Sequence, residues 1–190
     1  MFKWICKTIF KLQGWKFINN IPNELKSFVF VGAPHTSNYD FIPAMAMAYF
    51  MKRNCKFIIK KEWLKFPLGN LLRSLGAIGI DRKQIQQHGP TNTTDHIAAL
   101  FKEHQDLVLM IAPEGTRRPN PHWKTGFYYT AIKAGVPIVV GFADYAKKEA
   151  GLAMVIYPTK FEVDMKKITE FYRNITAKNP EHFKLDERFA

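Results

Sequence analysis

Residues 107–118, LVLMIAPEGTRR, join a run of apolar residues directly to a polar loop. Leu107–Ala112 has the length and the apolar composition of a buried strand. Ser27–Ala33 (SFVFVGA) shows the same pattern and runs into a second polar loop. Four further stretches also predict strands: Lys56–Lys60, Ala77–Asp81, Pro137–Phe142 and Ala153–Tyr157.

Helical patterns separate these strands. The predicted helices are Phe41–Met51, Pro67–Leu75, Thr91–His104, Thr125–Ala134 and Met165–Ala177, and Arg82–Pro90 is predicted to be a polar loop. Strands that alternate with helices are typical of an α/β domain. We therefore predict a single α/β domain with a mostly parallel sheet flanked by helices. In such sheets, reactive residues lie in loops past the carboxyl ends of the strands.

Residues 1–19 predict a separate N-terminal amphipathic helix. Lys3, Lys7 and Lys11 recur at helical spacing, the remaining positions are rich in Trp, Phe and Ile, and no acidic residue is present. Basic residues on one face with aromatic residues opposite are typical of a helix in a membrane interface. The alternative is a helix packed on the domain with its lysines in solvent. The predicted organisation is an interfacial helix at 1–19 and the α/β domain at 20–190.

Composition limits the classes of protein that remain. The chain has 190 residues, 47% of them hydrophobic, and a formal net charge of +12. One globular domain this basic is expected to meet nucleic acid, an anionic membrane surface or phosphate-bearing substrates. Two cysteines, Cys6 and Cys55, exclude a disulfide framework and a cysteine-based zinc site. We expect no membrane span, because the best apolar run, Phe41–Met51, is shorter than the roughly 20 residues that a span needs. We also expect no signal peptide, because lysines interrupt the N-terminal apolar residues.

The polar loop after Ser27–Ala33 contains His35 and Asp40 at the start of a predicted helix. Across a tight turn, Asp40 can accept a hydrogen bond from one imidazole nitrogen. The contact fixes the tautomer and leaves the other nitrogen as a base. The alternative is that Asp40 only caps the helix and His35 is an ordinary loop histidine.

The polar loop after Leu107–Ala112 contains a second set of candidates. Gly115 permits a positive φ, Thr116 offers a hydroxyl, and Arg117 has a planar guanidinium suited to phosphate. Glu114 can orient that arginine or bind a substrate hydroxyl. The alternative is an ordinary polar turn with a solvated Glu–Arg pair. Arg82 follows another predicted strand and is a second candidate phosphate ligand.

Four blocks in chain order resemble those of the glycerophosphate and lysophosphatidate acyltransferase family. They are His35–Asp40, Gly79–Arg82, Glu114–Arg117 and Val136–Val139, and the resemblance extends over about residues 27–157. The resemblance implies that His35 is a general base and Asp40 its partner.

The same resemblance implies roles for the substrate-binding residues. Arg82 and Arg117 would hold the acceptor phosphate, and Glu114, Gly115 and Thr116 belong to the block that shapes this pocket. Lys124 resembles the lysine of a Lys-x-Gly feature that follows the third block.

The implied activity is acyl transfer from an acyl thioester, either acyl-CoA or an acyl-carrier protein, to the free hydroxyl of a lysophosphatidate-like lipid. The enzyme would act in phospholipid synthesis at the cytoplasmic face of a membrane, without a metal or redox cofactor. Three alternatives remain: another lyso-lipid acceptor, a thioester hydrolase using the same histidine and aspartate, and a basic nucleic-acid-binding module. Because no nucleic-acid-binding motif is evident, we expect no nucleic acid partner.

Overall fold

The computed structural model describes residues 2–65, 67–80 and 82–190, with residues 82–92 described as backbone only. In these residues, seven strands form one sheet and six helices flank it. The strands are β1 Lys16–Asn19, β2 Phe28–Ala33, β3 Asn54–Lys60, β4 Ala77–Ile80, β5 Leu107–Ile111, β6 Ile138–Asp144 and β7 Glu149–Ile156. The helices are α1 Phe2–Leu12, α2 Phe41–Met51, α3 Gly69–Leu75, α4 Arg82–Glu103, α5 Gly126–Ala134 and α6 Phe161–Tyr172.

The order of strands in the sheet is β1-β7-β6-β2-β5-β3-β4. The five strands from β6 to β4 in this order are mutually parallel, whereas β7 runs antiparallel to β6 and β1 runs parallel to β7. The prediction of an α/β domain with a mostly parallel sheet is therefore confirmed. The carboxyl ends of the five parallel strands share one edge of the sheet, and the chain enters β1 at this same edge.

Alternating side chains of β2 build the core on both faces of the sheet. Phe28 and Phe30 pack in a buried cluster with residues of α1 and α2. Val29 and Val31 point to the other face and pack in a cluster with residues of α5 and α6. A strand covered on both faces needs apolar residues at every position, which explains the continuous apolar run.

The N-terminal helix is shorter than predicted. It ends at Leu12, because Gly14 adopts a left-handed conformation (φ +79°) and the Trp15 amide turns back to the carbonyl of Phe10. Residues 16–19 form β1, paired in parallel with β7. The predicted helix is therefore wrong beyond Leu12, since the segment after the glycine completes the sheet.

Helix α1 packs on the domain and still presents an apolar outer face. Cys6 and Phe10 are buried against the α/β core. Trp4, Ile5 and Leu12 are exposed, Leu12 at 82%. No helix among the described residues is long and apolar enough to cross a membrane.

The predicted polar loop at Arg82–Pro90 is also wrong, because the backbone is helical throughout α4. The polar sequence favours a loop here, and Gly89 and Pro90 also disfavour a helix interior. The later part of α4 buries Ile97 and Leu100 in a cluster with β5 residues. Packing of this amphipathic part stabilises the helix in spite of its local sequence.

Candidate active site

A turn at the carboxyl edge of the sheet connects β2 to α2 and carries His35 and Asp40. A single 3-10 turn covers Asn38–Asp40 and leads directly into α2. Ser37 caps it, since its Oγ accepts a hydrogen bond from the Tyr39 amide at 3.1 Å. The local sequence therefore closes the chain tightly enough for residues five apart to meet.

The carboxylate of Asp40 lies over this turn. Its Oδ2 accepts hydrogen bonds from the amides of Thr36 at 2.8 Å and Ser37 at 2.9 Å. The same oxygen lies 3.3 Å from Nδ1 of His35. Asp40 precedes α2, but its side chain makes no capping hydrogen bond to that helix. The alternative that Asp40 only caps the helix is therefore wrong, because the carboxylate closes the preceding turn and contacts the imidazole.

The imidazole of His35 is partly open to solvent. Its side chain is 36% exposed, whereas that of Asp40 is 9% exposed. A carboxylate at Nδ1 favours the tautomer that carries the proton there, so Nε2 keeps its lone pair. This arrangement is chemically able to accept a proton from a group that approaches Nε2.

Tyr145 completes the surroundings of Asp40, and the sequence did not identify it. It follows β6, the neighbour of β2 in the sheet, and its hydroxyl donates a hydrogen bond to Asp40 Oδ1 at 2.7 Å. Burial works to raise the pKa of Asp40, but the hydrogen bonds from His35, Tyr145 and Ser37 outweigh it and hold this pKa below its ordinary value. Asp40 is therefore ionised when it contacts the imidazole.

Glu114 lies against the backbone of the histidine turn. It follows β5, the other neighbour of β2, and its Oε1 accepts a hydrogen bond from the amide of His35 at 2.8 Å. Glu114 is 4% exposed, and its Oε2 has no hydrogen-bond partner among the described residues. Burial raises the pKa of this carboxyl to about 7, against the lowering effect of the His35 amide. The carboxylate thus positions the histidine turn.

Gly115 and Lys124 lie side by side next to Glu114. Gly115 has a φ of +65°, and a Cβ at this position would lie 2.9 Å from Cδ of Lys124. The Lys124 amide donates a hydrogen bond to the carbonyl of Pro113 at 2.8 Å, which holds the lysine beside the loop. The exposed Lys124 side chain therefore places an ammonium group near the exit of β5.

The remaining candidates differ in how far the structure describes them. Thr116 Oγ1 accepts a hydrogen bond from the Arg118 amide at 3.2 Å, and Arg117 is exposed. The side chain of Arg82 lies outside the described residues, and its backbone begins α4 directly after the edge strand β4. Three strand spacings separate β2 from β4, about 14 Å.

A second cation lies on the opposite side of the turn. Lys178, from the segment after α6, places its Nζ 5.3 Å from the ring centre of Tyr39 and 5.5 Å from that of Tyr145. The adjacent Asn179 donates hydrogen bonds to Thr36, through its backbone amide at 3.1 Å and its side chain at 3.2 Å. The C-terminal segment thus forms one wall of the site, which no motif in the sequence indicated.

Comparison with known proteins agrees with this arrangement. The acyltransferase family model matches residues 15–140. The chain is 31% identical over 139 residues to 1-acyl-sn-glycerol-3-phosphate acyltransferase of Haemophilus influenzae, and 32% identical over 136 residues to the Escherichia coli protein of that name. It is 27% identical over 141 residues to the human 1-acyl-sn-glycerol-3-phosphate acyltransferase beta.

These matches cover 69%, 67% and 72% of this chain, but only 55%, 52% and 49% of the respective relatives. The chain therefore spans about half the length of the curated relatives that it matches. No solved structure matches it significantly. Because the family model covers well over half of the chain, including both the His35 turn and the Glu114 loop, this protein belongs to the acyltransferase family.

Proposed function

We propose that this protein transfers a fatty acyl group from an acyl thioester to the free hydroxyl of a lysophosphatidate-like lipid. Membership of the acyltransferase family and the names of its relatives support this proposal. The observation that carries it is the contact of 3.3 Å between the ionised Asp40 and a partly exposed His35 at the carboxyl edge of the sheet. A hydroxyl that reaches Nε2 there meets a base whose other nitrogen is already engaged.

In the proposed reaction, His35 Nε2 takes the proton of the acceptor hydroxyl as the oxygen attacks the thioester carbonyl. Asp40 stabilises the imidazolium that forms. The C–S bond then breaks, and the imidazolium returns its proton to the departing thiolate. General base catalysis of this kind contributes about 10²–10⁴ to the rate. Metal and redox cofactors have no part in these steps.

The phosphate of the acceptor would bind on the β5 side of His35. Arg117 and Lys124 supply the cations there, and the loop after β5 adjoins the histidine turn through Glu114. Arg82 is proposed as a further phosphate ligand, in accordance with the family resemblance. Binding of the phosphate would hold the hydroxyl beside the thioester, and such positioning can lower the barrier by several kcal/mol.

We propose that the acyl donor is acyl-CoA or an acyl-carrier protein. Both donors carry phosphate, which suits a protein of net charge +12. An assay with each donor separates them. The same assay without an acceptor tests for hydrolysis, and a panel of lyso-lipids tests whether the headgroup must be a free phosphate.

Peripheral attachment to the cytoplasmic face of a membrane is part of this proposal. The outer face of α1 exposes Trp4, Ile5 and Leu12 beside Lys11. A second exposed apolar group follows β3 at the carboxyl edge of the sheet and consists of Trp63, Leu68 and Leu71, next to Lys60, Lys61 and Lys65. Exposed aromatic and aliphatic side chains among lysines are suited to an anionic bilayer surface, where each basic group contributes about 1 kcal/mol.

Co-sedimentation with vesicles tests the attachment. Deletion of residues 1–19 is unsuitable, because it would also remove β1 and the buried Phe10. The double variant Trp4→Ser/Leu12→Ser changes exposed side chains only and should bind more weakly to vesicles that contain anionic lipid, whereas Val163→Ser on α6 should bind as the wild type does. Binding that is unchanged in the double variant and insensitive to salt would contradict the attachment through α1.

The catalytic proposal is tested by the variant His35→Ala. We expect the folded variant to lose acyl transfer by at least about 10²-fold. His96→Ala removes an exposed imidazole on α4 and serves as the matched control. Activity of the His35 variant within a few-fold of the wild type would overturn the assignment. Thioester cleavage that needs no acceptor would favour the hydrolase instead.

A further inference from the structure

Both carboxylate oxygens of Asp40 accept hydrogen bonds, and each oxygen has different partners. Its Oδ2 accepts hydrogen bonds from two backbone amides and contacts His35. Its Oδ1 accepts one hydrogen bond, from the hydroxyl of Tyr145 at 2.7 Å. A carboxylate can rotate about its bond to Cβ, so the hydrogen bond at Oδ1 helps to fix the angle at which the other oxygen faces the imidazole.

The position of Tyr145 is fixed by three contacts that do not involve Asp40. Its backbone amide donates a hydrogen bond to the carbonyl of Thr176 at 2.9 Å. Its ring packs edge-on against that of Trp15, with centroids 4.8 Å apart. The buried Asp144 caps the following turn by accepting hydrogen bonds from the amides of Ala146 at 3.0 Å and Lys147 at 3.1 Å.

We infer that Tyr145 is a positioning residue for His35 and acts through Asp40. Its hydroxyl holds Oδ1, so that Oδ2 remains in contact with Nδ1 of the imidazole. The proton is thereby kept on Nδ1, and Nε2 is kept free to accept the proton of the acceptor. This inference rests on the proposed function, in which His35 Nε2 is the base.

The contact also connects the N-terminal segment to the site. Trp15 lies in the short connection between α1 and β1, and it packs against Tyr145. Gln13 in the same connection donates a hydrogen bond to the hydroxyl of Tyr39, next to Asp40 in the chain. The segment that connects α1 to β1 therefore contacts both Tyr145 and the histidine turn.

The variant Tyr145→Phe removes the hydroxyl and keeps the ring. The matched control is Tyr128→Phe, since the Tyr128 hydroxyl also donates a hydrogen bond to a carboxylate, at 2.8 Å to Asp164 Oδ2. Asp164 lies on α6, which follows β7. Because β7 is antiparallel to β6, α6 begins at the amino ends of the parallel strands, away from the histidine turn. Both variants lose one hydroxyl–carboxylate bond, but only one of these bonds reaches His35.

Two readouts separate positioning from stability. Acyl-transfer kinetics on the full chain give kcat and KM, and ¹⁵N NMR of the imidazole gives the tautomer of His35, with His35→Ala identifying its signals. For Tyr145→Phe we expect kcat to fall about tenfold with KM nearly unchanged, which corresponds to about 1.4 kcal/mol. The fraction of the Nδ1–H tautomer should fall as well. Tyr128→Phe should leave both readouts as in the wild type.

A double variant tests whether Tyr145 acts through Asp40. In an Asp40→Ala background, removal of the Tyr145 hydroxyl should cause no further loss of kcat, because the residue through which it acts is gone. The inference is overturned if Tyr145→Phe keeps the wild-type kcat and tautomer, or if its effect persists without Asp40. If the wild type transfers no acyl group while Tyr145→Phe still changes the tautomer, the positioning role stands and the proposed reaction fails.

Discussion

Replacement of Glu114 by glutamine should change how the stability of this protein depends on pH. The carboxyl is 4% exposed, and burial raises its pKa to about 7 from an ordinary value of 4.5. At a pH between 4.5 and about 7, Glu114 therefore keeps its proton in the folded protein but has lost it in the unfolded chain. The free energy of unfolding therefore falls as the pH rises through this window.

The size of the effect follows from the two pKa values. A shift of one pH unit is equivalent to about 1.4 kcal/mol. Over a window from 4.5 to about 7, the ionisation of Glu114 costs the folded protein about 3 kcal/mol. The variant Glu114→Gln keeps an oxygen that can accept the hydrogen bond from the His35 amide, and it cannot ionise. We expect it to be about as stable as the wild type near pH 5 and more stable by up to about 3 kcal/mol near pH 8.

Urea denaturation of both proteins across this pH range measures the difference. The control is Glu24→Gln, which removes an exposed carboxyl in a loop and should follow the wild type at every pH. The difference between Glu114→Gln and the wild type cancels the contributions of the other titrating groups. If the free energies of unfolding of the wild type and Glu114→Gln change in parallel from near pH 5 to near pH 8, the claim that burial makes ionisation of Glu114 costly is refuted.

Two further substitutions test the packing around the site. Gly115→Ala places a Cβ at a φ of +65° and 2.9 Å from the Lys124 side chain, so it should destabilise the fold by about 1–2 kcal/mol in urea, whereas Gly126→Ala, with no contact closer than 3.9 Å, should not. Tyr172→Phe removes a fully buried hydroxyl that bonds backbone carbonyls of β2 and β6, and thermal and urea unfolding should show a loss of about 1–2 kcal/mol with the fold retained. An unchanged midpoint for either variant would contradict the contact concerned.

Two long-range contacts of the histidine turn show that the site depends on both strands that pair with β2. Glu114 is 79 residues from His35 in the chain, and Tyr145 is 105 residues from Asp40. Both lie in loops that follow the strands directly beside β2. A substitution that shifts the register of β5 or β6 would therefore reach the histidine turn without any change in the turn itself.

Short apolar runs in the amino-acid sequence are enough to predict the parallel strands, since a strand covered on both faces needs apolar side chains throughout. The pair His35 and Asp40 is also predictable, because a turn of a few residues is a local feature of the sequence. The N-terminal strand β1 is not predictable from the sequence, since a run of four residues after a glycine carries little periodicity and depends on pairing with β7. The full length of α4 is not predictable from local sequence, because its first part is polar and contains Gly89 and Pro90, whereas Ile97 and Leu100 in its later part pack on β5.

The partners of the site could come only from the tertiary structure. Local composition indicated that Glu114 can face an arginine or a substrate, but the order β6-β2-β5 brings it to the amide of His35. The same order brings Tyr145 to Asp40, and the C-terminal segment brings Lys178 over the ring of Tyr145. Neighbouring residues in a chain reveal turns and strands, whereas contacts between distant loops depend on which strands pair, and pairing is a property of the assembled sheet.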